Sequence, residues 1–169
     1  MLPTIHLITS MFKPLAAVIA ATTLSMPVSA TIDPGTPRLI QTLEQYGVTV
    51  LYNPDTCSQG FSGQYTTQKV MTLCYQGQPS AFDHDTVRHE TFHFLQHCAA
   101  LRRGDTGITP LAVNTNTRTE WAYSILGANS VDRIKHTYPT RHHQVEIEAF
   151  AAASHYTAND LVGLIRSWC

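Results

Sequence analysis

Charge is scarce in this sequence. Only 14% of its 169 residues are Asp, Glu, Lys or Arg, against about 25% in an average soluble domain. No block of like charge stands anywhere, and 11 basic against 12 acidic residues leave a formal charge of -1. A hydrophobic content of 43% excludes a disordered chain. The charge balance excludes a nucleic-acid binder that works through bulk charge. No apolar run reaches the roughly twenty residues of a membrane span. Also missing are a C-x-x-C pair, a G-x-S-x-G elbow, a phosphate-binding glycine loop and a D-x-D-x-D-G loop. Their absence removes thiol-redox, serine-hydrolase, nucleotide and EF-hand calcium readings. What is abundant is histidine: nine residues, nearly as many as the lysines and arginines together.

The first thirty residues read as an address label. Met11-Phe12-Lys13 is a short basic start, residues 14–26 are apolar, and Pro27-Val28-Ser29-Ala30 supplies the small residues that a signal peptidase reads. The signal is complete if translation starts at Met11. This predicts a mature domain over 31–169, secreted or periplasmic, with no stable membrane span after removal of the signal. In such a compartment Cys57, Cys74, Cys98 and Cys169 are expected to form disulfides. Cys57–Cys74 would close a short strand-rich segment, and Cys98–Cys169 would tie the chain end to a central helix.

Periodicity and punctuation predict a single α+β domain, with its strands early and its helices late. A helix over 36–47 begins with Thr36 as N-cap and Pro37 in the first turn, and stops at Gly47. Strands follow over 48–52, 64–67 and 69–75, the last two antiparallel around a tight turn near Thr67-Gln68. A long helix over 84–103, capped by Asp83 or Asp85, ends at Gly104-Asp105. After a loop over 106–116, helices are predicted over 117–126, 130–137, 141–155 and 157–168. Thr157 and Asp160 make a near capping box for the last of these.

The most specific signal is His89-Glu90-Thr91-Phe92-His93. With nine histidines and five glutamates in the chain, the H-E-x-x-H pattern is expected by chance only about 0.01 times. Residues four apart share a helix face, so both imidazoles can reach one ion. Glu90 stands beside them as candidate general base toward an activated water. Two histidines do not complete a zinc site, so a third ligand is required. His97 continues the spacing but lies a further turn along the axis, about 6 Å away. We read it as supporting the site from behind or as a core residue. The metzincin pattern is absent, since Gln96 occupies the place of its turning glycine.

The remaining source is Val145-Glu146-Ile147-Glu148-Ala149-Phe150-Ala151-Ala152-Ala153, two carboxylates followed by small residues that let this helix pack closely on another. Together with the H-E-x-x-H helix, this stretch resembles the gluzincin branch of the zinc metallopeptidases, in which a glutamate from a second helix completes the site. The resemblance covers about half of the mature chain. It implies a zincin-like fold, Zn²⁺ held by His89, His93 and either Glu146 or Glu148, Glu90 as base, and a peptide or protein substrate. The E-x-x-A form of the family motif points to Glu146, which is preferred; the E-A form points to Glu148. The acidic residue that often follows the ligand by four places is missing, since those positions are Phe150 and Ala152. His136, His142, His143, Tyr138 and Tyr156 are candidates to polarise a substrate, and nothing in the sequence singles one out. The rival expectation is a secreted, disulfide-stapled binding module whose zinc site is structural or vestigial.

Overall fold

The computed structural model describes residues 33–75, 80–111 and 115–169. The expected signal segment and the start of the mature chain near Thr31 lie outside the described residues. Among the described residues, six helices and one small sheet make up a single α+β domain: α1 (Thr36–Gln45), β1 (Thr49–Tyr52), β2 (Gly63–Thr66), β3 (Val70–Leu73), α2 (Ala81–Arg102), α3 (Thr115–Leu126), α4 (Ala128–Thr137), α5 (His143–His155) and α6 (Ala158–Trp168). Single 3₁₀ turns occupy Asp55–Gln59 and Thr140–His142. Among the described residues, no helix is long and apolar enough to cross a membrane.

The sheet has the order β1-β3-β2. The expected hairpin is present: β2 and β3 are antiparallel, with Gly63 opposite Leu73 and Thr66 opposite Val70. Lys69, at φ 58°, closes its turn. β1 joins the other side of β3 in parallel, Thr49 opposite Val70, a pairing that the strand patterns did not specify. Both expected disulfides, Cys57–Cys74 and Cys98–Cys169, are formed. The first fastens the 3₁₀ turn to the end of β3, and the second ties the chain terminus to α2.

Two helix caps differ from expectation, each for a local reason. Ser80, not Asp83 or Asp85, caps α2. Its hydroxyl faces the Asp83 backbone N–H while the Asp83 carboxylate accepts from the Ser80 N–H, a reciprocal box with Asp in place of Glu. Asp85 instead pairs with Arg88. Thr36 is the first residue of α1 rather than its cap; the cap is Gly35, and the Thr36 hydroxyl bonds His84 Nδ1 at 2.6 Å. The helix expected over 141–155 is a 3₁₀ turn followed by α5. The Thr157–Asp160 box on α6 is complete.

α2 runs through the middle of the domain. Val87, Phe94, Leu95 and Cys98 join Leu39 and Leu43 of α1, Met71 and Leu73 of β3, and Leu161 and Ile165 of α6 in one buried cluster. α2 is buried on nearly all sides, which suits a helix in the middle of a core. Its main partner is α5, where Ala149, Ala151, Ala152 and Ala153 are all buried. These small side chains bring the two helix axes close, which is how a carboxylate on α5 can reach imidazoles on α2.

Candidate metal centre

His89 and His93, one turn apart on α2, point toward α5. Their Nε2 atoms lie 3.1 Å apart. Glu146, in the first turn of α5, meets them with Oε2 at 3.3 Å from His89 and Oε1 at 3.6 Å from His93. One ligand atom from each residue falls within 4.8 Å of the others, so His89, His93 and Glu146 form a group that can hold a metal ion. Both histidines are under 10% exposed. Two imidazole nitrogens and one carboxylate are a donor set suited to zinc. The fit has an independent sign: Glu146 Oε2 is buried without a hydrogen-bond partner, a costly arrangement that a cation between the three groups would relieve.

Without an ion, the group balances its charge with protons. Burial alone would press the His93 pKa down, but the nearby Glu146 carboxylate and the charge of Glu90 outweigh it and hold His93 at about 9. Burial would likewise raise Glu146, yet the two histidines bring it down to about 2. Three groups that could hold a cation are thus kept ion-paired with one another. The Phe150 ring packs on His89 with centroids 4.4 Å apart and closes the group on one side.

Glu90, only 5% exposed, lies beside the histidines and beneath β2. Burial is the largest influence on it and raises its carboxyl above the ordinary range, although His89 and His93 pull the other way. The Tyr65 backbone N–H bonds it from β2. A methyl group at Gly63 would stand 3.0 Å from both Glu90 Cγ and Oε1 and 2.4 Å from Thr86 Cγ2. Gly63 therefore lets β2 sit directly on the Glu90 side chain. Nothing in the spacing identified Gly63 or Tyr65, because their role depends on how the sheet lies on α2.

Glu148, the alternative to Glu146, is not part of the group. It is 3% exposed, and its Oε2 accepts from Gln96 Nε2 and from the Leu111 backbone N–H, each at 3.0 Å. Gln96 in turn touches His93 Nδ1 at 2.8 Å. His97 also stands apart: it is buried, and its Nδ1 lies 2.8 Å from the Tyr65 hydroxyl. His136 bonds a carbonyl of its own helix, His142 pairs with Arg141, and His143 bonds the Tyr138 carbonyl. Tyr156 packs with Trp121 and His155. Of the polarising candidates, Tyr138 is the one whose hydroxyl is influenced by the charges of the group. Burial first, then the charges of Glu146 and Glu90, push its hydroxyl above the ordinary tyrosine range, and its ring meets Phe150.

No protein-family model, curated protein or solved structure matches the chain. The resemblance to the gluzincins therefore stands on the residues of α2 and α5 alone.

Proposed function

We propose that this chain is an exported zinc-dependent hydrolase acting on peptide bonds, with Glu90 as general base. The observation that carries the reading is the convergence of His89, His93 and Glu146 from two helices, with Glu90 next to them in the same H-E-x-x-H turn. When bound there, zinc would supply the positive charge that polarises a carbonyl and makes water acidic near neutral pH. His89, His93 and Glu146 are the residues that would hold it.

The remaining steps belong to the chain. Glu90, buried and raised in pKa, takes the proton of the attacking water and returns it to the leaving amine. Tyr138 keeps its proton throughout the neutral range, and we assign it as the donor to the charge that develops on the carbonyl oxygen. The choice of peptide bonds rests on the gluzincin resemblance. Export rests on the residue pattern of the first thirty positions and agrees with two disulfides in the folded domain.

One observation favours the rival reading, a binding module with a structural ion: His89, Glu90 and His93 are all nearly covered, as ligands of structural sites are. Incubating the zinc-loaded chain with a peptide library separates the two. The hydrolase cleaves, and a chelator stops it. A chain that retains zinc and cleaves no member of the library is the binding module.

A further inference from the structure

Gln96 has no exposed surface, yet an amide side chain carries two donor hydrogens and an acceptor oxygen, all of which need partners once buried. Its nitrogen lies 3.1 Å from the Val145 carbonyl and 3.0 Å from Glu148 Oε2. The carbonyl can only accept. The Glu148 oxygen also accepts from the Leu111 N–H at 3.0 Å, so it too is an acceptor here. This end of the amide must therefore be the NH₂. The opposite end, Oε1, has no proton to give and stands 2.8 Å from His93 Nδ1. That contact is a hydrogen bond only when Nδ1 carries the proton. The lone pair available to an ion then belongs to Nε2, the atom that faces His89 and Glu146.

We infer that Glu148 and Gln96 form a relay that orients His93 and fixes its proton on Nδ1, so that Glu148 is a positioning residue and not a ligand. The inference builds on the metal-site reading above. Glu148, together with the Val145 carbonyl, sets which way the Gln96 amide faces, and the amide sets which imidazole nitrogen is free. The anchor at the far end is firm. Leu111, bonded to the same Glu148 oxygen, belongs to a segment that Arg103 clasps through Thr109 Oγ1 at 2.6 Å and the Pro110 carbonyl at 3.2 Å. Both carboxylates of the Glu-x-Glu pair thereby serve one site: Glu146 from the front, Glu148 through Gln96 from behind. Outer partners of this kind are generally worth 10- to 100-fold in metal affinity.

The test combines imidazole ¹H–¹⁵N NMR with zinc affinity measured by chelator competition, on the intact disulfide-bonded chain. In the wild type, His93 is expected to show a slowly exchanging proton on Nδ1, both metal-free and zinc-loaded. Gln96→Ala and Glu148→Ala should each remove its protection and weaken zinc binding roughly 10- to 100-fold. Glu148→Gln keeps an acceptor oxygen for the amide and should bind zinc more tightly than Glu148→Ala. An unprotonated Nδ1 in the wild type overturns the relay, and this readout needs no variant to fold. So does a folded Gln96→Ala variant with wild-type zinc affinity. Glu148→Gln losing zinc as completely as Glu146→Gln would make Glu148 a ligand and overturn it as well. A chain that takes up no zinc defeats the proposed function, while the tautomer of the metal-free chain, read above about pH 9 where His93 is neutral, still decides the relay.

Discussion

His93 Nε2 lies 3.6 Å from Glu146 Oε1 across the contact between α2 and α5, and each group holds the other in its charged form. The His93 pKa stands at about 9 against an ordinary 6.5, so the pair's contribution to stability is complete below about pH 6.5 and is lost as the pH rises through about 9. Glu146 is lowered from 4.5 to about 2; its share is present above about pH 4.5 and is lost as the pH falls through about 2. A metal ion must displace the His93 proton. Thermal melts of the metal-free chain are therefore expected to fall between about pH 6.5 and 9, while zinc binding tightens over the same interval and releases protons. A zinc affinity independent of pH there would contradict this account of the pair.

In the proposed reaction Glu90 would contribute a carboxylate but no bond to the ion. Glu90→Gln keeps the side-chain shape and is expected to retain zinc while hydrolysis falls by about 10²- to 10⁴-fold. His93→Ala is expected to lose both. Metal content by mass spectrometry alongside peptide cleavage checks the pair, and a fully active Glu90→Gln variant would remove Glu90 as the base. Tyr138→Phe, which deletes the assigned donor, should lower kcat more than it raises KM.

Gly63 is required where β2 rests on α2. In Gly63→Ala the new methyl group would lie 2.4 Å from Thr86 Cγ2 and 3.0 Å from Glu90 Oε1, so the strand or the carboxylate must shift. Overpacking of this kind costs about 1–3 kcal/mol, and displacement of Glu90 adds a loss of activity. A Gly63→Ala variant as stable and as active as the wild type would show that β2 is free to lift from the helix.

Asp33 joins three helices. Its Oδ1 accepts from the Gly35 N–H at 2.9 Å, and its Oδ2 accepts from the Ala158 N–H at 2.7 Å and from Arg88 Nη1 at 3.1 Å. Burial opposes the charge, but those two N–H groups and the Arg88 guanidinium outweigh it and hold the carboxyl below its ordinary 3.8. The stability it brings is present above that value and is lost as the pH falls through the lowered one. Removing one partner of a buried pair is expected to cost about 3–5 kcal/mol. Denaturant unfolding of Asp33→Ala measures it; a loss under about 1 kcal/mol, the range of surface pairs, would mean that the three helices hold without the carboxylate. A mature chain starting at Thr31 keeps this residue.

The parts of the fold legible in the sequence are those set by local spacing. Helix α2 and its two histidines follow from i, i+4 geometry. The hairpin of β2 and β3 follows from a short turn. The two disulfides follow from an even cysteine count and the placing of strands and helices. The parallel pairing of β1 with β3 was not legible, because it depends on a crossover through the turn at Asp55–Gln59. Between Glu146 and Glu148 the sequence supported only a preference for Glu146, by resemblance, and the group contains Glu146. Two positions apart on a helix point about 200° apart, and which one faces α2 depends on how the alanines of α5 seat against it. Both carboxylates prove to be engaged on α2, one on the histidines and the other on Gln96. The histidine excess also becomes clearer: His84 and His97 bond Thr36 and Tyr65 inside the domain.

The most direct measurement is an anomalous-difference map collected at the zinc absorption edge from crystals of the zinc-loaded chain. The account predicts one strong peak bounded by His89 Nε2, His93 Nε2 and the Glu146 carboxylate, with Glu148 still bonded to Gln96. No peak at that place, or a peak coordinated by Glu148 in place of Glu146, would contradict it.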